Sequence, residues 1–421
     1  MNKESSTKDL GLSSNERLAI INKSIFAPKR YQNLIPKGFN IYTFHAGFKK
    51  KLDDLLIIIF DKIVTTSVVY SKTSTPSAPI IWDKKNNKGS VKALIINSGN
   101  ANAHTGKEGI NIIDKYVDFL ISNIGCKKSE ILVSSTGVIG ETLDPALIIR
   151  KISDINKNLT GNLLNAAKAI MTTDTYPKTS IKRVKLNHNS FKIYGIAKGS
   201  GMIYPNMGTM LVYIFIEAKL SKNVLNKLVK FNLERTFNSI STDGDTSTSD
   251  TLALFSLNKF DLSIISKKDF QIVNKALFDV MHDLALQVVK DGEGLSKLIK
   301  VNVKRCKSNK QAKNIGFSIL NSPLVKTAIA GEDPNWGRII AAIGKSKEKI
   351  DQEKIKIFFG KYLVCKDGKI YKDISTKKID RYIKKQVIEI SVDVNNGNFD
   401  HTVFGNDLTH EYIRINAEYR T

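Results

Sequence analysis

Residues 210–217 (MLVYIFIE) constrain the fold most strongly, because they are apolar or aromatic almost throughout. This composition predicts a buried strand, since a strand with one solvated face would alternate apolar and polar residues. Other strand-like segments are interspersed with segments of helical periodicity. The strand-like segments are 55–64, 93–97, 131–133 and 387–394, and the helical ones are 107–124 and 272–288. Gly125 occupies the position where a glycine commonly ends a helix, directly after the segment 107–124. The order of strands and helices predicts an α/β (mixed α+β) protein.

The formal net charge of +25 over 421 residues is the second feature that needs an explanation. Lysine and arginine neutralise phosphates, so a basic nucleic-acid-binding protein is one alternative. The lysines are spread along the whole chain, however, and no recognition motif or basic-aromatic stripe accompanies them. This distribution favours a solvated basic surface and no nucleic-acid partner.

Several classes of protein are disfavoured by spacing and length. The three cysteines and six histidines are scattered, without CxxC or HExxH spacing, so we expect no metal site. The longest apolar run, residues 55–60, is far shorter than the roughly 20 residues that span a bilayer. Glu4, Asp9 and Glu16 argue against a secretory or transit signal. We therefore expect a cytoplasmic protein with no membrane partner.

The segment KGSGMIYPNMGTML, residues 198–211, contains the most suggestive chemistry. Two glycines, a proline and a Gly-Thr step precede the buried strand, so Thr209 would lie at the edge of a sheet. A threonine hydroxyl is a weak nucleophile unless a base adjoins it, and the residue's own α-amine is such a base once the chain is cut. Its pKa near 8 suits proton transfer at neutral pH. Gly208 leaves room for an N-to-O acyl shift, although the spacing alone also fits a simple loop.

Three further segments are ambiguous when each is taken alone. In SSTGVIGETLDP, residues 134–145, the hydroxyl of Thr136 and the amide of Gly137 could form an oxyanion hole, or the segment could cap a helix. The segment NSISTDGDTSTSDT, residues 238–251, resembles a calcium-binding loop but lacks the bidentate glutamate that such a loop requires. We therefore interpret it as a network of polar turns near a cleft. In DGEGLSK, residues 291–297, flanking glycines would let Glu293 approach a ligand, or the segment is a surface turn.

Taken together and in order, eight segments resemble one family, the ornithine acetyltransferases, also called glutamate N-acetyltransferases. They are NSGNANAHTG (97–106), SSTGVIGE (134–141), AAKAIMTTDTYPK (166–178), AKGSGMIYPNMGTML (197–211), NSISTDGDTSTSDT (238–251), DGEGLSK (291–297), VKTAIAGEDPNWGRI (325–339) and GNDLTHEYIRINAEYRT (405–421). The resemblance covers the chain from about residue 37 to its last residue. It implies two layered mixed sheets flanked by helices, in an autoprocessing N-terminal-threonine acyltransferase fold.

The resemblance also implies roles for individual residues. Thr209 looks like the nucleophile, released by cleavage between Gly208 and Thr209, and Thr136 and Gly137 look like the oxyanion hole. The substrate-binding set looks like Thr172, Thr173, Lys198, Thr209, Glu293, Asn416 and Thr421. Residues 37–208 and 209–421 would be the α and β fragments, assembled two of each, and residues 1–36 an extension of uncertain order.

The implied reaction is ping-pong transfer of an acetyl group from N2-acetyl-L-ornithine to L-glutamate in cyclic arginine biosynthesis. No cofactor is expected, and acetyl-CoA is left open as a further co-substrate. Gly208 stands where the family usually has alanine, and residues 64–79 match the family poorly. An aminopeptidase with the same N-terminal threonine chemistry is the alternative within the same mechanistic class.

Overall fold

The computed structural model describes residues 22–155, 160–186, 189–204, 210–371 and 376–418. In these residues, eight strands form a first, mixed sheet in the order β4-β3-β2-β8-β7-β6-β5, with β1 paired to β2. The strands are β1 (Phe39–Phe44), β2 (Leu55–Tyr70), β3 (Ser90–Asn100), β4 (Ile131–Val138), β5 (Lys178–Leu186), β6 (Asn189–Lys198), β7 (Leu211–Lys219) and β8 (Thr251–Asp261). The pairs β3–β4 and β7–β8 are parallel, and the other pairs are antiparallel.

A second mixed sheet is built from the later part of the described chain, in the order β12-β11-β10-β13-β9-β14. Its strands are β9 (Leu298–Cys306), β10 (Lys356–Phe359), β11 (Tyr362–Lys366), β12 (Lys369–Ile370), β13 (Val387–Asp393) and β14 (Phe399–Asn406). Strands β9 and β13 run parallel, and β14 closes the edge antiparallel to β9.

Helices cover both sheets. They are α1 (Ala78–Asn86), α2 (Gly106–Ile124), α3 (Pro145–Ile152), α4 (Leu163–Ala169), α5 (Lys222–Leu233), α6 (Lys267–Val289), α7 (Asn309–Leu320), α8 (Pro323–Ala330), α9 (Trp336–Gly344), α10 (Thr376–Ile383) and α11 (His410–Glu418). Helices α5 and α6 share one core with β7, and α7 to α10 share another core with the second sheet. Among the described helices, none combines the length and the apolar character that a bilayer crossing requires.

Strand β7 is apolar on both faces because each face belongs to a different core. Val212, Ile214 and Ile216 pack with α5 and α6, whereas Tyr213 and Phe215 pack with α4 and with β1. All of these side chains are buried. The prediction of a buried strand at 210–217 is therefore confirmed, and so is the α/β class with two mixed sheets.

The other predicted elements are present with shifted ends. Helix α2 ends at Gly125, whose φ of 64° lies in the left-handed region that favours glycine. Strand β2 continues to Tyr70, and β4 continues past the predicted 131–133 through Val138. The extension of β4 occurs because its polar residues pair in parallel with the end of β3.

The residues just before β1 pack against the body of the protein. The Ser24 amide donates a hydrogen bond of 2.9 Å to Thr175 Oγ1, and Gln32 Oε1 accepts one of 2.6 Å from the Ile181 amide. Residues 1–21 of the predicted extension lie outside the described residues.

Candidate active site

A cleft of about 570 Å³ lies where β4 and β6 end, bordered by the last turn of α11 and by the loop before β8. Seven of the residues singled out from the sequence line it: Thr136, Gly137, Thr172, Thr173, Lys198, Glu293 and Asn416. They come from positions up to 280 residues apart in the chain, between Thr136 and Asn416. Gly208, Thr209 and Thr421 lie outside the described residues.

Thr136 and Gly137 lie near the end of β4, beside the end of β3. Gly137 has a φ of 131°, and a Cβ atom there would lie 2.3 Å from the carbonyl carbon of Gly99. A side chain at this position is therefore excluded both by conformation and by space. The amide of Gly137 consequently has no side chain of its own to shield it from the cleft.

The end of β3 is held rigid by buried hydrogen bonds. The Ser135 hydroxyl donates to Asn97 Oδ1 at 2.6 Å, and Asn97 Nδ2 donates to the carbonyl of Asn100 at 2.7 Å. These bonds satisfy polar groups that would otherwise be costly to bury, and they fix the two strand ends against each other. The sequence assigns no role to the segment 97–106, and these hydrogen bonds indicate that its first residues have a structural role.

Lys198 connects the candidate oxyanion hole on β4 to the end of β6. It is the last residue of β6 and is 3% exposed, and its Nζ donates a 3.1 Å hydrogen bond to Thr136 Oγ1. Burial lowers the pKa of Lys198 below its ordinary value, whereas the charge of Asp174 acts in the opposite direction. Because Thr136 Oγ1 accepts from a lysine, the hydroxyl proton of Thr136 can point at a different acceptor.

Glu293 and Asn416 form a second polar pair in the cleft. Asn416 Nδ2 donates to Glu293 Oε2 at 2.8 Å and also to the carbonyl of Tyr412 at 3.0 Å. Burial raises the pKa of Glu293 above its ordinary value, and the Thr173 side chain together with Asn416 acts against this rise. Gly201 faces the carboxylate so closely that a Cβ atom there would lie 2.5 Å from Oε2.

A buried ionic cluster beneath the cleft was not foreseen from the sequence. Lys178 Nζ lies 2.6 Å from an oxygen of Asp174 and 2.6 Å from an oxygen of Asp291, and all three side chains are fully buried. Asp174 also accepts hydrogen bonds from the amides of Thr172 at 3.0 Å and Gly199 at 2.8 Å. Although burial opposes it, the charge of Lys178 holds the pKa of Asp174 below its ordinary range. The cluster therefore fixes the backbone beside both Thr172 and Lys198.

The polar segment 238–251 forms one wall of the cleft. Ser247, Thr248 and Ser249 line it, and Asp243 accepts hydrogen bonds from the amides of Met202 at 2.5 Å and Ile203 at 3.0 Å. Asp243 thus stabilises the backbone directly after Gly201, the residue that faces Glu293. In the described residues, no group of three or more His, Cys, Asp or Glu side chains is arranged to hold a metal ion.

Comparison with known proteins agrees with this arrangement of segments. Residues 40–421 match the model of the ArgJ family. The arginine biosynthesis bifunctional protein ArgJ of Bartonella henselae is 41% identical over 390 residues, which cover 91% of this chain and 95% of that protein. Its counterpart in Agrobacterium fabrum is 40% identical over 408 residues, which cover 94% of this chain and 99% of that protein.

Two solved structures are also similar to parts of this chain. The ArgJ protein of Bacillus halodurans is 35% identical with a TM-score of 0.46, and the match covers 49% of this chain and 98% of that one. An ornithine acetyltransferase from Mycobacterium tuberculosis, solved with ornithine, is 25% identical with a TM-score of 0.34, covering 43% of this chain and 99% of that one. The family match and the extent of the sequence identity show that this chain belongs to the ArgJ family and is an acetyltransferase of arginine biosynthesis.

Proposed function

We propose that the chain cuts itself between Gly208 and Thr209 and then carries the acetyl group of N2-acetyl-L-ornithine on Thr209 to L-glutamate. The observation that supports this most directly is the hydrogen bond from Lys198 to Thr136, because it joins the proposed oxyanion donor on β4 to the end of β6, the strand adjoining β7. Lys198 pairs across the sheet with Leu211, only two residues beyond Thr209 in the chain. This short separation in the chain supports Thr209 as the nucleophile.

Cleavage would begin with attack of Thr209 Oγ on the carbonyl carbon of Gly208. The peptide C–N bond breaks as the Thr209 nitrogen takes the proton, which leaves an ester between Gly208 and the threonine oxygen. Water then hydrolyses the ester to a Gly208 carboxylate, a free hydroxyl and a free α-amine. The hydroxyl of Thr136 and the amide of Gly137 would stabilise the oxyanion in both tetrahedral steps, at about 3 kcal/mol per donor.

Transfer would use the same groups with the acetyl carbonyl in place of the peptide carbonyl. Thr209 Oγ attacks the acetyl carbon while the α-amine accepts the hydroxyl proton, and the amine returns this proton to the departing nitrogen of ornithine. The α-amine of L-glutamate then attacks the acetyl ester, and the threonine hydroxyl is regenerated. The hole is preorganised because Thr136 is held by Lys198 and Gly137 by the backbone of β3.

Binding of the amino-acid substrates would rest on two opposite charges that line the cleft. The carboxylate of Glu293 suits a substrate ammonium group, and the buried ammonium of Lys198 suits a substrate carboxylate. Asn416, Thr172 and Thr173 supply neutral hydrogen-bonding groups around them. Thr421, only five residues beyond Asn416 in the chain, is proposed as the last member of this set.

We propose acetyl-CoA as a second acetyl donor, since the relatives named above are described as bifunctional. We also propose that the two fragments stay together, as two of each, in the cytoplasm. Strands β7 and β8 follow the cleavage point but lie between β2 and β6, which precede it. The fragments thus share one sheet, and separating them would break pairings on both sides of this strand pair.

The test combines intact mass with a product assay. Purified protein is first examined for fragments that end at Gly208 and begin at Thr209. It is then incubated with N2-acetyl-L-ornithine alone, with added L-glutamate, and with acetyl-CoA plus L-glutamate. The proposal expects acetyl-Thr209 in the first reaction and N-acetylglutamate in the second. Release of acetate without N-acetylglutamate would indicate a hydrolase instead, and an active but uncut chain would overturn the mechanism.

A further inference from the structure

Lys326, in α8, is a buried cation that none of the steps above uses. It belongs to the segment 325–339 and is 3% exposed. Its Nζ donates hydrogen bonds to the carbonyl of Thr242 at 2.5 Å, to the carbonyl of Asn406 at 2.5 Å and to Asn406 Oδ1 at 3.2 Å. A charge that is buried against neutral groups is costly to maintain. The presence of a lysine here therefore calls for a role that depends on its charge.

The three acceptors around Lys326 determine which protonation state fits. An ammonium group has three N–H donors, one for each oxygen, whereas a neutral amine has two donors and a lone pair that would face the third oxygen. Burial lowers the pKa of Lys326 to about 8, and the charges of Asp243 and Asp407 act against this decrease. The full set of hydrogen bonds is therefore present at neutral pH and is lost as the pH rises through about 8.

The first segment that Lys326 holds is the one around Thr242. The amide of Thr242 donates to the carbonyl of Ile203 at 3.0 Å, which fixes the backbone two residues after Gly201. Gly201 faces the Glu293 carboxylate so closely that a Cβ atom there would lie 2.5 Å from Oε2. A shift of Thr242 would therefore move the backbone against which Glu293 rests.

The second segment that Lys326 holds is the end of β14 at Asn406. The side-chain amide of Asn406 packs against Gly292, where a Cβ atom would lie 1.5 Å from Nδ2. Gly292 directly precedes Glu293, and the chain beyond Asn406 leads into α11, which contains Asn416. Lys326 thus links the segment that packs beside Glu293 to the segment that borders Glu293 through Gly201.

We propose that Lys326 is a positioning residue for acetyl transfer, whose ammonium group clamps the two segments that hold Glu293 and Asn416 where they bind the amino-acid substrates. The inference rests on the proposed function, in which Glu293 binds a substrate ammonium group. Lys326 itself contacts no substrate, and it forms and breaks no covalent bond. Its loss should weaken substrate binding and leave self-cleavage intact, because cleavage requires no bound amino acid.

The test is Lys326→Gln, which keeps two N–H donors and carries no charge at any pH. The KM for N2-acetyl-L-ornithine and for L-glutamate should rise about 10- to 100-fold at about pH 6.5, because a small displacement of a binding group is costly. The ratio of the variant's KM to the wild-type KM should fall toward 1 at about pH 9.5, since wild-type Lys326 then also lacks its charge. Intact mass should show complete cleavage, and kcat should change less than KM.

Lys92→Gln is the matched control. Lys92 Nζ also donates to two backbone carbonyls, those of Phe60 at 2.6 Å and Asp61 at 3.1 Å. Lys92 lies near the start of β3, however, and it is the other end of β3 that leads to the cleft at Ala101. This variant should keep the wild-type KM at both pH values.

A second variant keeps the test decisive if Lys326→Gln does not fold. Asn406→Ala removes one of the three acceptors and keeps both backbone carbonyls, so the KM should rise by a smaller factor. Because one donor of the ammonium group is then unpaired, the charged form is less favoured. The loss of substrate affinity on the alkaline side should therefore begin at a lower pH than in the wild type.

The outcomes separate the inference from the proposed function. A wild-type KM for Lys326→Gln at both pH values would overturn the inference and leave the proposed function intact. A KM ratio raised equally at both pH values would also overturn it, because the side chain would then act through its shape and not its charge. Failure of both variants to fold or to cleave would assign Lys326 to folding instead. Wild-type protein that makes no N-acetylglutamate would refute the proposed function itself.

Discussion

Gly201 offers a way to move Glu293 without changing any group that takes part in the reaction. A Cβ atom on Gly201 would lie 2.5 to 2.7 Å from three atoms of the Glu293 carboxylate. In the Gly201→Ala variant, the flexible end of Glu293 must therefore retreat by roughly 1 Å to restore ordinary van der Waals contact. This displacement is large enough to break the 2.8 Å hydrogen bond from Asn416.

The expected magnitude follows from the loss of that interaction. A hydrogen bond to a charged group contributes about 1.5 to 3 kcal/mol, so kcat/KM for acetyl transfer should fall about 10- to 150-fold. Self-cleavage should proceed normally, because the cleavage step uses Thr136, Gly137 and Thr209 but no bound amino acid. Initial rates over a range of N2-acetyl-L-ornithine and L-glutamate concentrations, together with intact mass, measure both effects.

Two further variants separate displacement of Glu293 from general damage. Gly344→Ala places a methyl group at the end of α9, where no atom lies within 4 Å, and should behave as wild type. Adding Glu293→Asp to Gly201→Ala shortens the acid and should restore part of the activity. Wild-type kcat/KM in Gly201→Ala for both substrates would refute the assignment of Glu293 to substrate binding.

Four other outcomes are expected. Thr209→Ala should remain a single 421-residue chain by intact mass, because no hydroxyl remains to start the acyl shift. Lys198→Met should slow both cleavage and transfer about 100- to 1,000-fold in time courses, since Thr136 loses the donor that orients it. Deleting residues 417–421 should leave cleavage intact and impair transfer strongly, and normal product formation would remove Thr421 from the site. The KM for the amino-acid substrates should rise as the pH falls through the raised pKa of Glu293, because the carboxylate is then protonated. This rise should occur at a higher pH than the pKa of an ordinary glutamate would give. The Glu293→Gln variant should show no such rise.

The elements that could be predicted from the sequence are those whose signal is local. The apolar run at 210–217 and the periodicity of 107–124, ending at Gly125, depend on neighbouring residues alone, and both appear in the structure. The end of β4 was missed beyond Val133 because its next residues are polar and small. These residues adopt a strand conformation because they pair with β3, and this pairing cannot be read from the segment 134–138 alone.

For the candidate site, too, single residues could be predicted from the sequence, but the contacts between them could not. Ordered segments pointed to Thr136, Lys198, Glu293 and Asn416 one by one, and the structure brings them to one cleft. No pattern in the sequence indicated that Lys198 would donate to Thr136, 62 residues away. It also concealed the cluster around Lys178, since a Lys four residues after an Asp usually indicates a solvated helical pair. Here Lys178 begins β5, and the pair is buried beside α6, whose C-terminal end is followed by Asp291.

The proposed cleavage point is close to β7 in the chain, and this explains how a chain cut there can still keep its fold. Residue 209 comes two residues before the start of β7, whose two faces belong to two separate hydrophobic cores. Withdrawing β7 would expose both cores and also break its pairing with β6 and β8. Scission of the peptide bond before residue 209 would remove none of these contacts, so β7 would stay in place while residue 209 gains a free amine. The packing that keeps the fragments together would then also keep the new N-terminus within two residues of Leu211, which pairs with Lys198 of the cleft.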